Sequence, residues 1–260
     1  MKIGKDSRQA RILSALEDDN PALRVNQLAQ EFGVTTETIR RDLAALAQAG
    51  RINRTYGGAV RTGNRFEPVL TDRLKLLVTE RRMIARHAAV LHARGDALLL
   101  GGGATMLQFA RILSKLQHRM IVITPALPVA QELAVNPQIE VMLLPGVLDP
   151  YEHMVTGSET LRAVEKFRAP VAIIGASGLN AEGVSEAMPS MGEVYMAMLA
   201  NADRGIILAD HSKFDKRALI LLSDWNARLS LITDRSPGAD LSTAIKNGGA
   251  DIVLAPPAGD

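Results

Sequence analysis

Between Ala97 and Ala255 the chain repeats one pattern seven times: a short, unbroken apolar run, then a polar or helix-like stretch. The runs are ALLLG, MIVIT, EVMLLPG, VAIIGA, GIILAD, LSLITD and DIVLA. A strand with one face in water alternates apolar and polar residues, whereas a strand that is apolar throughout is covered on both faces. Such strands, separated by helical segments, build a parallel sheet between two helix layers. The pattern therefore predicts an α/β domain with a mostly parallel sheet. Aromatic residues make up only 3% of the chain, so Leu, Ile, Val, Ala and Met must fill its core.

Ligands of such sheets bind beyond the carboxyl ends of the strands, which directs attention to the residues that close each run. The first run ends in GGGAT and enters a helix. Glycine amides and a helix N-terminus favour an anion there, and Thr105 adds a hydroxyl. Gly102, Gly103, Ala104 and Thr105 are thus candidate contacts for a phosphate or carboxylate. The Walker lysine and the third spaced glycine of a dinucleotide fingerprint are missing, which argues against ATP and NAD. Ala126, Gly146 and Ser177 follow the second, third and fourth runs and are further candidates. After the fifth run, in ADHSKF, Asp210 is placed to accept from sugar hydroxyls and Lys213 to pair with a phosphate. The alternative for Lys213 is an ordinary loop ion pair with Asp215. His87, His92, His118, His153 and His211 show no metal-ligand spacing, so neither metal nor cofactor is expected.

The N-terminal third has a different character. Met1 to Val90 carries 16 Lys+Arg against 10 Asp+Glu, and the remainder 14 against 18. A basic segment on a mildly acidic body suggests a module facing nucleic acid. Apolar spacing predicts helices over Ser7–Leu16 and Val25–Phe32, a Gly33 turn, and a third helix N-capped by Thr35 and ending at Ala49-Gly50. Ile39, Leu43 and Leu46 form its buried stripe, which leaves Thr36, Thr38, Arg40 and Arg41 outward near the N-terminal end, the end that reaches base edges in the major groove. A plain Arg41–Glu37 pair on a solvated helix is the competing explanation. The next residues, RINRTYGGAV, read as a strand, a tight turn and a return strand. Three helices and a basic hairpin make a winged helix-turn-helix, in which Arg54, Thr55, Tyr56 and Gly57 would touch the backbone or minor groove of double-stranded DNA.

Arg61 to Pro68 reads as an exposed connector, followed by a helix over Asp72–Arg94 with Leu74, Leu77, Ile84, Ala88 and Leu91 buried and its arginines on a solvated face. The expected organisation is a DNA-binding domain over 1–60, a linker over 61–71 and an effector-binding domain over 72–260. The chain has no cysteine, which removes disulfides, thiolate-bound zinc and thiol nucleophiles. No run of about 18 apolar residues occurs, so no membrane partner and a cytoplasmic location are expected.

The stretches TIRRDLAAL and GRINRTYGGAV resemble the signature of the DeoR family of bacterial transcription regulators, with Tyr56 where the family commonly has histidine. The resemblance extends through the body. It implies an effector domain similar to ribose-5-phosphate isomerase that binds sugar phosphates or related anions, in a homo-oligomeric repressor of a carbohydrate-use operon that reads paired half-sites. The family pattern A-D-x-S-K-F is kept at Ala209 to Phe214. Elsewhere Gly101 replaces an aspartate, Ala104 a threonine, Pro125-Ala126 an Asn-Ser pair and Ser177 a second aspartate. These losses imply a less negative pocket, and hence a different, more anionic effector or weakened control. The alternative is an isomerase or amino-sugar deaminase with a DNA-binding arm, for which Glu186, Glu193 and Asp210 remain as candidate bases.

Overall fold

The structure, a computed structural model, describes residues 5–15, 22–48, 52–55, 58–61, 68–92 and 97–256. Its contacts divide the chain into two units, Met1–Arg65 and Phe66–Asp260.

The first unit runs α1 (Lys5–Ala15), β1 (Ala22–Arg24), α2 (Val25–Phe32), α3 (Thr36–Gln48), β2 (Ile52–Thr55) and β3 (Gly58–Arg61). The apolar stripe of α3 closes on the other two helices: Ile39, Leu43 and Leu46 pack with Ile12, Leu28 and Phe32. Gly33 turns the chain at φ +62°, a conformation glycine adopts without steric cost. The Thr35 hydroxyl caps α3 by accepting from Thr38 N at 3.2 Å. Antiparallel pairing of β2 with β3 sets Thr55 opposite Gly58. The tight turn expected at Tyr56-Gly57 lies outside the described residues. Strand β1 was not anticipated; three residues are too short to show a period, and it forms by pairing with β3 in the order β1-β3-β2. Inside the helical core Asp42 holds Arg8 at 2.5 Å, joining α1 to α3 through a buried ion pair.

The second unit starts with α4 (Leu70–Arg73) and α5 (Val78–His92). It continues through β4 (Ala97–Leu100), α6 (Ala104–Leu113), β5 (Met120–Thr124), α7 (Leu127–Leu133), β6 (Ile139–Leu143), β7 (Val147–Leu148), β8 (Val155–Thr156) and α8 (Ser158–Val164). It ends with β9 (Ala169–Ile174), β10 (Gly178–Asn180), β11 (Gly183–Glu186), α9 (Pro189–Ala200), β12 (Ala202–Leu208), β13 (Ile220–Ser223), β14 (Leu229–Thr233), α10 (Ala239–Asn247) and β15 (Asp251–Leu254). The seven apolar runs supply the seven strands of one sheet, ordered β15-β14-β12-β9-β4-β5-β6. Every neighbouring pair in it is parallel. Successive residues feed opposite faces, as the period of a strand requires. Leu99, Ile174 and Ile207 meet α9 and α10, whereas Leu98, Ile173 and Ile206 meet α5, α6 and α7.

From β4 the chain builds outward through β5 and β6, returns to place β9 on the other side of β4, and then builds outward again. The order therefore reverses between β4 and β9, and a crevice opens at the carboxyl ends of those two strands.

Two expectations for the start of this unit are corrected. The helix foreseen over Asp72–Arg94 is two helices, α4 and α5, separated by a break that ends at Leu77 with φ +49°. Ile84 and Ala88 are buried, but Leu74 and Leu77 are half-buried, and Leu91, in the last turn of α5, is exposed. The short β7–β8 hairpin and the antiparallel sheet β10-β11-β13 add unforeseen strands of two to four residues.

Candidate functional site

The crevice between β4 and β9 is lined by Gly102–Thr105 on one side and Gly175 and Ala176 on the other. Asp210 and Lys213 enter from the end of β12, Glu186, Met191 and Tyr195 from behind, and Arg73 and Arg81 from α4 and α5. The site thus brings together Gly102, Gly103, Ala104, Thr105, Asp210 and Lys213. Gly103, at φ +101°, stands at the N-cap of α6 with no side chain to occupy the first-turn amides. Those amides and the positive helix end face the cleft and favour an anion.

Behind the glycine loop stands Tyr195. Its hydroxyl accepts from Gly102 N at 3.1 Å and donates to Gly102 O at 3.2 Å. Its ring also explains Gly101: a Cβ there would lie 3.0 Å from Tyr195 Cε1 and 3.3 Å from Ile174 Cγ2. The space an aspartate side chain would need is filled by the tyrosine. Burial raises the Tyr195 pKa, and the nearby Glu186 adds to the shift, so the phenol keeps its proton.

Ser177 does not line the cleft; it acts on it through Glu186. Ser177 Oγ donates to Glu186 Oε1 at 2.9 Å, and the same oxygen accepts from Ala187 N at 2.8 Å. Burial raises the Glu186 pKa against the opposing effect of these bonds and of Arg73. The carboxylate missing at positions 101 and 177 therefore has a counterpart in the cleft that comes from a different strand, β11.

Asp210 is 1% exposed. Its Oδ2 accepts from Arg81 Nε at 2.9 Å, and its Oδ1 accepts from Ser212 N at 3.0 Å and from the Ser212 hydroxyl. Three of the roughly four acceptor positions of this carboxylate are thus taken, and Asp210 positions Arg81 and the turn that carries Lys213. His211 anchors that turn, with Nδ1 2.6 Å from Asp234 Oδ2 and its amide donating to Asp234 Oδ1 at 2.8 Å. Burial, with a smaller effect from Lys216, lowers the Lys213 pKa to about 8.

Ala126 and Gly146 stand off the lining. Ala126 is 1% exposed, and its Cβ supports Gly102 from behind, 3.1 Å from where a Cβ on that glycine would lie. Gly146 packs on the β7–β8 hairpin, where a Cβ would come 2.7 Å from Thr156 O. Glu193 is exposed and also off the lining, whereas Glu186 is on it. Among the described residues no group of three or more His, Cys, Asp or Glu side chains is placed to hold a metal.

The arginines of α5 are not all solvated. Arg82 and Arg86 are exposed, but Arg81 is 4% exposed and lines the cleft. Its signal was in the spacing: Arg81 precedes Ile84, Ala85 and Ala88 at i+3, i+4 and i+7, so it sits on the buried stripe. Arg73 and Tyr195 carry no such signal, and Glu186, a candidate base in the sequence, lines the cleft. The setting of Glu186 in GVSEAM, close to Val184, Ala187 and Met188, carried a local sign of its burial.

On α3, Arg40 and Arg41 are exposed, as is Thr35; Thr36 and Thr38 are half-buried. Both arginines lie near Glu37, Arg40 at 3.9 Å and Arg41 at 3.7 Å. The pairing foreseen for a solvated helix is therefore present. Exposed pairs of this kind contribute at most about 1 kcal/mol, so it does not prevent either guanidinium from turning to a phosphate or base. The Thr35 hydroxyl is occupied by its capping bond. Arg54 and Thr55 are the last two residues of β2; Tyr56 and Gly57 lie outside the described residues.

Two family models match the chain: a DeoR-like helix-turn-helix domain over residues 8–64 and a DeoR C-terminal sensor domain over residues 77–235. Among curated relatives, the HTH-type transcriptional repressor GlcR of Bacillus subtilis (strain 168) is 29% identical over 251 residues, 96% of each chain. The HTH-type transcriptional repressor CsqR of Escherichia coli (strain K12) is 28% identical over 89% of each chain. The glycerol-3-phosphate regulon repressor of the same organism is 29% identical over 81% of this chain and 84% of its own. More distantly, ribose 5 phosphate isomerase A from Neisseria gonorrhoeae aligns at 18% identity with a TM-score of 0.36 over 53% of each chain.

Proposed function

The chain belongs to the DeoR family, and on that premise we propose that it is a sequence-specific transcriptional repressor of a carbohydrate-metabolism operon, released from DNA by a phosphorylated sugar or related anion. The observation that carries the ligand class is the basic lining of the cleft. Lys213 stands with the uncapped start of α6, and the guanidinium-bearing residues Arg73 and Arg81 line the cleft as well, paired with Glu152 and Asp210. One relative is named for the glycerol-3-phosphate regulon, which supports a phosphorylated polyol or sugar as the ligand.

In this reading the phosphate sits against the amides of Gly103 to Thr105 and the ammonium of Lys213. Neutral hydroxyls of the ligand fall to Glu186 and to Thr105 Oγ1, since Asp210 is engaged by Arg81 and Ser212. Glu186, held by fixed donors, serves recognition and Asp210 positions Arg81 and the Lys213 turn, and we assign the protein no turnover. The α3 face of Thr36, Thr38, Arg40 and Arg41 enters the major groove, and the hairpin at Arg54, Thr55, Tyr56 and Gly57 grips the backbone beside it. A homo-oligomer presents two such heads to paired half-sites. Among the described residues no helix is long and apolar enough to cross a membrane; the site of action is the cytoplasm, with the operator.

Control is linkage: a ligand that binds better to the arrangement unable to hold DNA lowers operator affinity by that difference. Anisotropy of labelled DNA from upstream of the protein's own gene tests this. The protein is titrated onto it with glycerol 3-phosphate, glucose 6-phosphate, the parent sugars and sugar acids added in turn. Release by anionic compounds alone is expected; release by neutral sugars alone would overturn the assignment of the cleft.

A further inference from the structure

The cleft is partly open to solvent but narrow: the space within it, about 30 Å³, is that of a few waters at most, small beside a phosphate with a carbon chain. An anion that enters it fully must therefore displace a wall. Three walls are fixed from within the core: Tyr195 holds the glycine loop, β9 lies mid-sheet, and Asp210 caps its own turn. The fourth is the segment Leu70–Leu77. A four-residue helix has no stability of its own, and the segment ends at the positive φ of Leu77.

Leu70, 3% exposed, is its one fully buried side chain; Leu74 and Leu77 are only half-buried, and polar contacts hold the segment besides. The carbonyl of Arg73 accepts from Arg81 Nη1, and the guanidinium of Arg73 pairs with Glu152, from the loop between β7 and β8. Both members of that pair are largely buried, at 12% and 8% side-chain exposure. Arg73 thus lines the cleft while a carboxylate off its lining neutralises it.

We propose that the Arg73–Glu152 ion pair is a latch: an anionic effector takes Arg73 from Glu152, and the freed Leu70–Leu77 segment transmits the change along the chain toward the DNA-binding unit. The segment is placed for that purpose, since it begins shortly after Arg65, the last residue of that unit. The inference rests on the reading of the cleft as an effector site. It identifies the effector's anionic group as the competitor of Glu152 and Arg73 as the residue that reports its arrival.

The test compares the full-length wild type with E152Q, R73Q and E159Q. The last removes the same charge as E152Q from an exposed pair with Arg162 and serves as control. Inorganic phosphate binding is measured by calorimetry, opening of residues 70–77 by hydrogen–deuterium exchange, and operator affinity by anisotropy. A latch predicts that E152Q binds phosphate about fivefold more tightly or better, the lower end of common allosteric coupling. It also predicts faster exchange over 70–77 without phosphate and operator binding weaker by a similar factor. R73Q should show the faster exchange without the tighter phosphate, because it removes the anion's partner too, and E159Q should match the wild type. Unchanged phosphate affinity and exchange in E152Q overturn the latch, even if wild-type protein is released by sugar phosphates as proposed. Phosphate binding to none of the four proteins overturns the reading of the cleft, and the latch with it.

Discussion

Asp210→Ala is the most informative single change in the sensor unit. The Asp210 carboxylate accepts from Arg81 Nε at 2.9 Å, with side-chain exposures of 1% and 5%. Its removal strands a guanidinium in the interior, and uncompensated buried charges of this kind cost about 3–5 kcal/mol. Asp210 also caps the short 3-10 turn at His211–Lys213 through Ser212 N, worth about 1 kcal/mol more. The sum, about 4–6 kcal/mol, is a large share of the roughly 5–15 kcal/mol that stabilises an ordinary domain. The protein supplies its own reporter: its single tryptophan, Trp225, is buried in this unit with Nε1 donating to Asn180 O at 2.8 Å. Urea unfolding followed by tryptophan fluorescence therefore reads the sensor unit directly. Arg81→Met combined with Asp210→Ala should cost less than the two single changes added, by about 2 kcal/mol or more, since neither charge is then left alone. A loss under about 1 kcal/mol for Asp210→Ala, or strict additivity in the double variant, would refute the account of the pair.

Arg40→Ala or Arg41→Ala should cost about 1–3 kcal/mol on the operator if the arginine reads a base, with a smaller loss on random DNA; anisotropy on both duplexes separates this from a phosphate contact, which loses equally on each. Asp42→Ala removes the buried carboxylate that joins Arg8 of α1 to α3, so the first unit should lose about 1–3 kcal/mol. Operator binding then fails on heating while Trp225 fluorescence still reports a folded sensor unit. Lys213, with its pKa lowered to about 8, binds anions as the cation, so sulfate affinity should be level below pH 7 and fall as pH rises through 8. In the same variant series the unfolded chain takes up the proton between about 8 and the ordinary 10.5, so sensor stability should rise with pH across that window. Lys213→Met should flatten both profiles; a sulfate profile unchanged by that substitution would remove Lys213 from the anion site.

What the sequence disclosed depends on how locally each feature is encoded. Each central strand of the sheet is a contiguous apolar run, readable without knowledge of its neighbours. The residues that close those runs, Gly102 to Thr105 and Asp210 to Lys213, were readable for the same reason. The small strands were not, because β1, β10 and β13 take their conformation from a partner rather than from an alternation of three or four residues. Arg73, Arg81, Glu186 and Tyr195 reach the cleft from helices and a hairpin outside the strand ends that define it. Their roles exist only once the sheet has ordered itself. The departure at Gly101 looked like a lost carboxylate; three-dimensional packing shows a tyrosine in its space and a glutamate nearby, an exchange between positions far apart in the chain.

The reversal of strand order between β4 and β9 also sets a timetable for biogenesis. The helical head completes its core with residues up to Leu46, and its hairpin closes at Arg61. The centre of the sheet joins Leu98 to Val171, and β9 acquires its second neighbour only when Ala202 and its successors have been made. Contacts so distant in sequence form slowly, and a chain leaving the ribosome folds from its N-terminus. Each nascent molecule therefore passes through an interval in which the DNA-reading head is formed and the cleft that would restrain it is not.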